Sequence, residues 1–266
     1  MRASAIPAFL ARRESRRERL VMFAVTSLAL LLVVAYWVQF DHSYREIDYQ
    51  LYMDATRRWL AGGPFYLPAE LAGPFPAVHG VTLYPPVALL LFVPFTFLPP
   101  IAWWLVPLGL TAWGLWRLHP GPRVWPLMAA PLLWWTASER IVSGNPVIWV
   151  LAALTLACSF GWPGVFVLLK PSLFPFAAAG IRRRSWWMAL GLFALLSLPF
   201  LPMWVDWFTV LRNARGTGGL LYSWWEAPLL VIPLAAWAGR SRAAIAGRSD
   251  QPDAVVPAGT IRTFSP

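Results

Sequence analysis

The chain has 266 residues, of which 58% are hydrophobic and 13% are charged, and its formal net charge is +10. This hydrophobic fraction excludes an ordinary water-soluble domain and indicates an integral membrane protein. The single cysteine excludes an intrachain disulfide and a metal site built from cysteines.

The first apolar segment, residues 20–40, contains no charged residue and predicts a transmembrane helix. A helix of that length crosses the hydrocarbon layer of a bilayer, which is about 30 Å thick. The segment is too long for the core of a signal peptide, and no small-residue cleavage site follows it. We therefore expect a retained first span, preceded by a basic cytoplasmic segment at residues 1–19.

Residues 41–80 form a mildly acidic outer loop, and its first half predicts an amphipathic helix. Ser43 and Glu46 have the spacing of a capping box, and a Gly-Gly-Pro sequence at 62–64 ends the helical pattern. Between these ends one apolar stripe recurs every four residues, at Ile47, Leu51, Ala55 and Trp59. Such a helix is suited to lie along the membrane surface or against a helix bundle.

The acidic residues of this predicted helix differ in their surroundings. Asp54 has Arg57 and Arg58 at i+3 and i+4, so a surface ion pair explains it. Asp48 instead borders the apolar stripe, and Arg45 is its nearest basic neighbour along the helix. Two interpretations stay open: an interfacial carboxylate paired with Arg45, or a general base or ligand group at the membrane surface.

Seven more apolar segments follow this loop. They cover residues 83–98, 101–116, 124–135, 147–160, 162–181, 186–204 and 225–237. Because several are short and contain proline, we expect one or two to be broken or re-entrant. Together with the first span they predict an all-α, polytopic transmembrane bundle of about eight spans over residues 20–239. The composition of residues 240–266 predicts a disordered cytoplasmic tail.

Three arginine clusters account for most of the positive charge. They are Arg2, Arg12, Arg13, Arg16, Arg17 and Arg19; Arg182, Arg183 and Arg184; and Arg240, Arg242 and Arg248. The positive-inside rule places all three clusters, and hence both termini, in the cytoplasm. Arg117 and Arg123 fall on the outer side in this topology and violate the rule. The aromatic residues lie within the apolar segments, so no nucleic-acid surface is expected.

Lys170 is the only lysine of the chain and lies in the middle of the apolar residues 161–181. A charge at such a depth costs about 2.5–3.5 kcal/mol on insertion scales, and it usually faces protein or water. One interpretation is structural, with Lys170 donating to helix carbonyls freed by Pro171 and Pro175. The other is functional, with Lys170 binding an anionic group inside the bundle.

Several short elements occur in a particular order between residues 44 and 184. They are Asp48-Tyr-Gln-Leu-Tyr52, Trp59-Leu-Ala-Gly-Gly63, Phe65-Tyr66, Leu83-Tyr-Pro-Pro86, Leu98-Pro-Pro100, Ser143-Gly-Asn145 and Leu168-Leu-Lys170-Pro171. This pattern resembles glycosyltransferase family 87, whose members are GT-C-type integral membrane enzymes. Two departures are that Gly144-Asn145-Pro146-Val147 replaces the family's usual Gly-Gln-x-Asn, and that family members usually carry several more spans.

The resemblance implies a mannosyltransferase-like enzyme of a bacterial inner (plasma) membrane, moving a sugar from a polyprenyl-phosphate donor to an acceptor hydroxyl at the outer face. It implies that Asp48 is the catalytic base. The candidate substrate-binding residues are Tyr52, Tyr66, Tyr84, Arg140, Asn145 and Lys170. The expected partners are this donor, a glycolipid or glycan acceptor and membrane lipid. Because the chain has fewer spans than its relatives, a partner membrane protein could complete the donor-binding wall.

This chemistry suits the residues, because a polyprenyl phosphate leaves as a stable anion without a general acid, and one carboxylate can accept the hydroxyl proton. Lys170 and Arg140 would stabilise the departing charge. No cofactor is expected, nor a metal site, since the three histidines have no ligand spacing. Asp206 and Glu226, at the second outer loop, are interpreted as solvated charges or acceptor contacts.

Two other functions stay open. A transporter or flippase for an anionic lipid or solute would use Lys170 as its substrate contact. A truncated, non-catalytic relative would scaffold a partner protein.

Overall fold

The computed structural model describes residues 15–39, 45–76, 81–215 and 223–240. These parts are mostly helical, which confirms the predicted helical class. The α-helices are α1 (Arg16–Gln39), α2 (Ile47–Leu60), α3 (Pro68–Ala72), α4 (Leu89–Phe95), α5 (Ala102–Leu118), α6 (Trp125–Ala129), α7 (Trp135–Val142), α8 (Val147–Phe160), α9 (Arg184–Ser197), α10 (Leu201–Asn213) and α11 (Val231–Ala238). Strands β1 (Phe75–Pro76) and β2 (Ala214–Arg215) form one short parallel pair.

Among the residues whose backbone and side chains are both described, one helical stretch is long and apolar enough to cross a membrane. It is Arg184–Asn213, which comprises α9, α10 and the 3-10 turn between them. Two shorter apolar helical stretches are Pro86–Phe95 and Val147–Phe160. The bundle of about eight spans therefore stays a prediction. The expected tail beyond residue 240 and most of the basic N-terminal segment lie outside the described residues.

Residues 162–181 form a hairpin, which is a break of the kind expected for one or two of the apolar segments. Two 3-10 helices, Trp162–Leu169 and Pro171–Ala178, pack against each other with Lys170 between them. Proline removes backbone donors and forces the preceding residue out of the helical region, and Lys170 accordingly has φ −122° and ψ 87°. Lys170 thus lies at the tip of the hairpin.

The base of this hairpin is tight. A Cβ on Gly164 would collide with the carbonyl oxygen of Ala179, so the two arms can approach this closely only with glycine there. The Arg183 guanidinium donates to the Ser159 carbonyl and ties the end of α8 to the segment that leaves the hairpin. The base is therefore closed by backbone contacts, and the tip projects into the protein.

Other expected spans are also divided. Residues 124–135 comprise the end of a 3-10 helix, then α6, a second 3-10 helix (Ala130–Leu133) and the start of α7. Residues 83–98 contain a 3-10 turn (Pro86–Ala88) followed by α4, and residues 225–237 contain most of the 3-10 helix Trp224–Leu230 followed by α11. Prolines lie within these pieces and interrupt the regular hydrogen bonding.

Helix α2 is amphipathic as predicted, but its start and its buried face differ from the prediction. Its N-cap is Glu46, which has φ 60° and makes no side-chain capping bond, while Ser43 lies outside the described residues. The N–H groups of Asp48 and Tyr49 instead donate to the Ser143 carbonyl. The buried residues of the helix are Asp48, Tyr49, Tyr52, Met53, Ala55 and Thr56. The buried face therefore includes Asp48, because the first N–H groups of α2 donate to a carbonyl of the loop after α7.

The described residues that follow α2 in the predicted outer loop, up to residue 76, are hydrogen-bonded to α10. Asn213 donates its side-chain amide to the carbonyl oxygens of Glu70 (3.0 Å) and Leu71 (3.1 Å), beside the β1–β2 pair. The Glu70 carboxylate accepts the Leu67 N–H at 2.8 Å, and its burial raises the pKa of this carboxyl group above the usual value. The bonds from Asn213 hold this part of the loop against α10, and α2 directly precedes this part in the chain.

Candidate functional site

Asp48 lies in the first turn of α2, and its side chain is 12% exposed. Three groups converge on its Oδ2 atom: Ser143 Oγ donates at 2.8 Å, Asn145 Nδ2 donates at 2.9 Å, and Arg140 Nη1 lies at 3.6 Å. The structure therefore pairs Asp48 with the α7–α8 region, whereas the sequence left pairing with Arg45 as one option. Because these contacts are all made to one oxygen, they orient the carboxylate with its Oδ1 directed away from them.

The loop between α7 and α8 is shaped to bring Ser143 and Asn145 to this carboxylate. Gly144 has φ 76°, a conformation that favours glycine. The indole of Trp103 donates to the Gly144 carbonyl and that of Trp104 to the Ile141 carbonyl, both at 2.7 Å. A Cβ on Gly144 would lie 2.8 Å from Tyr49 Cβ and from the Trp104 ring. The loop and α2 thus fit together only with glycine at this position.

We expect Gly144→Ala to shift α2 away from this loop. Alanine would have an unfavourable positive φ at this position, and its Cβ would collide with Tyr49 Cβ. We therefore expect the substitution to lower the free energy of unfolding by about 2 kcal/mol. Gly109→Ala is the matched control, since a Cβ there meets nothing within 4 Å. Denaturant unfolding of the two purified variants measures the difference. Equal stability of both variants would contradict the fit described above.

Lys170 is 1% exposed and makes three polar contacts through Nζ. It donates to the Tyr84 hydroxyl at 2.8 Å and to Asn145 Oδ1 at 2.9 Å, and it forms an ion pair with Glu226 Oε2 at 2.6 Å. These partners are side chains, so the interpretation of Lys170 as a donor to freed helix carbonyls is wrong. A buried cation needs such partners, because an unpaired charge there would be strongly disfavoured.

Asn145 connects the two ends of the site. Its Nδ2 donates to Asp48, while its Oδ1 accepts from Lys170 Nζ and from the Val147 N–H at 3.0 Å. A side-chain amide suits this place because it has both donor and acceptor atoms. Asp48 and Lys170, which are far apart along the chain, are therefore joined by one residue.

Glu226 also belongs to this group of residues, although the sequence left it as either a solvated charge or an acceptor contact. Its side chain is 1% exposed and contacts Lys170, and its other oxygen, Oε1, lies 3.3 Å from Arg140 Nε. The expectation of a solvated loop charge is therefore wrong. Lys170 was itself a signal, since a buried lysine requires an acidic partner, but the sequence does not show which carboxylate approaches it.

Arg140 lies at the centre of the charged groups. Besides Asp48 and Glu226 it contacts Glu139 Oε1 at 3.7 Å. The group thus contains three carboxylates (Asp48, Glu139, Glu226) and two cations (Arg140, Lys170), which leaves one net negative charge. Arg140 and Lys170 bind the two oxygens of a single carboxylate, and they are spaced to hold a bidentate anion.

The three tyrosines predicted to bind substrate have different places. Tyr84 contacts Lys170 directly. Tyr52 packs edge-to-face on the Tyr84 ring, with centroids 5.0 Å apart, and Tyr66 donates its hydroxyl to the Tyr84 carbonyl at 2.7 Å. Tyr52 and Tyr66 therefore position Tyr84 in this structure.

An apolar cavity of about 240 Å³ has Lys170 and Tyr84 in its lining. Its walls come from α8, the first arm of the hairpin and the region of α4 and α5; they include Leu91, Leu110, Trp149 and Phe166. The Trp149 Nε1 atom is buried and has no hydrogen-bond partner among the described residues. Among the lining residues, Lys170 is the one that carries a charge. In the described parts of the chain, no three His, Cys, Asp or Glu residues are grouped to hold a metal ion.

No family model and no solved structure matches the chain. A curated protein does match. It is a polyprenol-phosphate-mannose-dependent alpha-(1-2)-phosphatidylinositol mannoside mannosyltransferase from Mycobacterium tuberculosis, 29% identical over 234 residues. The match covers 72% of this chain and 54% of the relative, so the chain spans about half the length of that protein. The chain is thus similar to a mannosyltransferase over most of its own length.

Proposed function

We propose that this protein is a membrane glycosyltransferase that moves a sugar, most simply mannose, from a polyprenyl-phosphate donor to an acceptor hydroxyl. The observation that carries the proposal is the link from the carboxylate of Asp48, through Asn145, to the buried cation of Lys170, which lines an apolar cavity. The relative, named for a polyprenol-phosphate-mannose donor, supports the lipid donor and the sugar.

The apolar cavity and the lysine in its lining suit the two parts of such a donor. The apolar wall would take the first isoprene units, and Lys170 with the Tyr84 hydroxyl would contact the phosphate. Arg140, which shares a carboxylate with Lys170, would contribute a second cation. Lysine and arginine near a leaving phosphate stabilise the negative charge that develops as the bond to the sugar breaks.

Asp48 would act as the general base. The acceptor hydroxyl oxygen attacks C1 of the sugar, the C1–O bond to the phosphate breaks, and its electron pair stays on the polyprenyl phosphate. The hydroxyl proton passes to Asp48, most directly to Oδ1, since Ser143 and Asn145 bind Oδ2. The leaving group is an anion that needs no proton, so a single carboxylate is sufficient.

The membrane arrangement belongs to the same proposal. The helix Arg184–Asn213 would span the bilayer, with the arginine cluster at its start in the cytoplasm. Residues 41–80 and α2 would lie at the outer face, where a glycolipid or glycan acceptor, such as a phosphatidylinositol mannoside, meets Asp48. The membrane in this proposal is a bacterial plasma membrane.

The test is sugar transfer by membranes that contain the wild-type protein. We expect radiolabelled mannose to move from polyprenyl-phosphate mannose into the glycolipid fraction, and we expect no transfer from GDP-mannose, because the proposed site recognises a lipid phosphate. Membranes from cells with an empty vector are the control. Uptake of the lipid donor without transfer would favour a transporter, and no transfer from any lipid donor would contradict the proposed enzyme.

A further inference from the structure

We propose that the Glu226 carboxylate occupies the place of the donor phosphate and leaves it when the donor binds. The two cations that it contacts, Lys170 and Arg140, are called the anion site below. This inference rests on the proposed function, because it assigns the anion site to a lipid phosphate. It adds that the structure represents a closed state, with the protein's own carboxylate as the occupant.

Glu226 presents one oxygen to each cation, with Oε2 2.6 Å from Lys170 Nζ and Oε1 3.3 Å from Arg140 Nε. A phosphodiester likewise has two oxygens that share one negative charge on one central atom, so it can bridge the same pair of cations. The carboxylate therefore occupies the position that suits the phosphate best.

The charges of the site disfavour a second anion beside Glu226. The site already has one more carboxylate than cations. A phosphate added beside Glu226 would place two anions a few ångströms apart in a region that water hardly reaches, where repulsion is strong. If Glu226 leaves, the remaining Asp48, Glu139, Arg140 and Lys170 are balanced, and the site can accept an anion.

Glu226 lies in the 3-10 helix Trp224–Leu230, a short element with a proline inside. Leu230, at the end of this element, is buried in the apolar core, so the element itself is held in place. The carboxylate can therefore leave by rotation of its own side chain, which breaks its contacts with Lys170 and Arg140.

The test is equilibrium binding of polyprenyl phosphate, and separately of inorganic phosphate, to the purified full-length protein in lipid nanodiscs. We expect Glu226→Gln to lower the Kd for polyprenyl phosphate at least about tenfold, which corresponds to about 1.4 kcal/mol. The neutral amide no longer competes for the cations. The matched control is Asp54→Asn, which removes an exposed carboxylate that pairs with Arg57 and lies outside this group of charges. We expect the control to change the Kd less than about threefold.

A second variant keeps the test valid if Glu226→Gln fails to fold. Glu226→Asp retains the charge but withdraws the carboxylate from Lys170, and we expect its Kd to fall between those of wild type and Glu226→Gln. Unchanged or weaker binding of both phosphate probes in the Glu226 variants would overturn the inference, whatever the transfer assay gives. If the Glu226 variants bind inorganic phosphate more tightly than wild type, but no form binds polyprenyl phosphate, the anion site stands and the lipid donor is wrong.

Discussion

Asp48→Asn is expected to reduce the rate of sugar transfer about a thousandfold, within the range usual for loss of a general base. The amide has the shape of the carboxylate and can still bind Ser143, so we expect the fold to persist. It cannot accept the acceptor proton. Because Lys170 and the cavity are untouched, we expect kcat to fall while KM for the donor changes little. Steady-state kinetics at varied donor concentration separates the two parameters.

The matched control for this prediction is Asp54→Asn. Asp54 lies on the same helix, but it is exposed and pairs with Arg57 at 3.1 Å, as the sequence predicted. Exposed pairs of this kind contribute little, and we expect transfer to stay within about twofold of wild type. If both substitutions reduced kcat equally, the loss would reflect damage to α2 and not to a base.

Lys170→Met is expected to damage both donor binding and the fold. It removes the cation from a buried ion pair and leaves Glu226 with Arg140 alone, so we expect a loss of about 3 kcal/mol in the free energy of unfolding. We also expect KM for the donor to rise at least about tenfold, because a hydrogen-bonded charge on the phosphate is lost. Denaturant unfolding and donor titration measure the two effects.

The double variant Lys170→Met with Glu226→Gln distinguishes these two roles. With no buried carboxylate left beside the missing cation, we expect it to recover most of the lost stability. Transfer should stay low, because the phosphate contact is still absent. Recovery of both stability and transfer would show that Lys170 matters only to folding.

The charged residues of the site could be recognised in the sequence because they are out of place in apolar surroundings. Lys170 lies in a hydrophobic run, and Asp48 borders an apolar stripe. Asn145 became a candidate site residue because it belongs to the ordered series of short motifs that resembles the family. What composition and periodicity do not contain is the pairing between distant segments: Asp48 with Asn145 across 97 positions, and Lys170 with Glu226.

The sequence predicted that one or two segments would be broken but did not show which, because the length and hydropathy of residues 162–181 are those of a membrane span. The three prolines of the hairpin each indicated a local break, but their combined effect depends on Gly164, where the arms approach most closely. Hydropathy does not register such a backbone contact. The start and the buried face of α2 were predicted incorrectly for a similar reason. The first N–H groups of the helix donate to the Ser143 carbonyl, and not to a capping side chain.

The most direct measurement of the central claim is single-turnover transfer from labelled polyprenyl-phosphate mannose by purified wild-type and Asp48→Asn protein, both saturated with donor. We expect the wild type to release polyprenyl phosphate and to mannosylate the acceptor in equal amounts. We expect Asp48→Asn to bind the donor as tightly but not to transfer the sugar in the same time. Transfer by the variant at the wild-type rate would contradict the role of Asp48 as the general base.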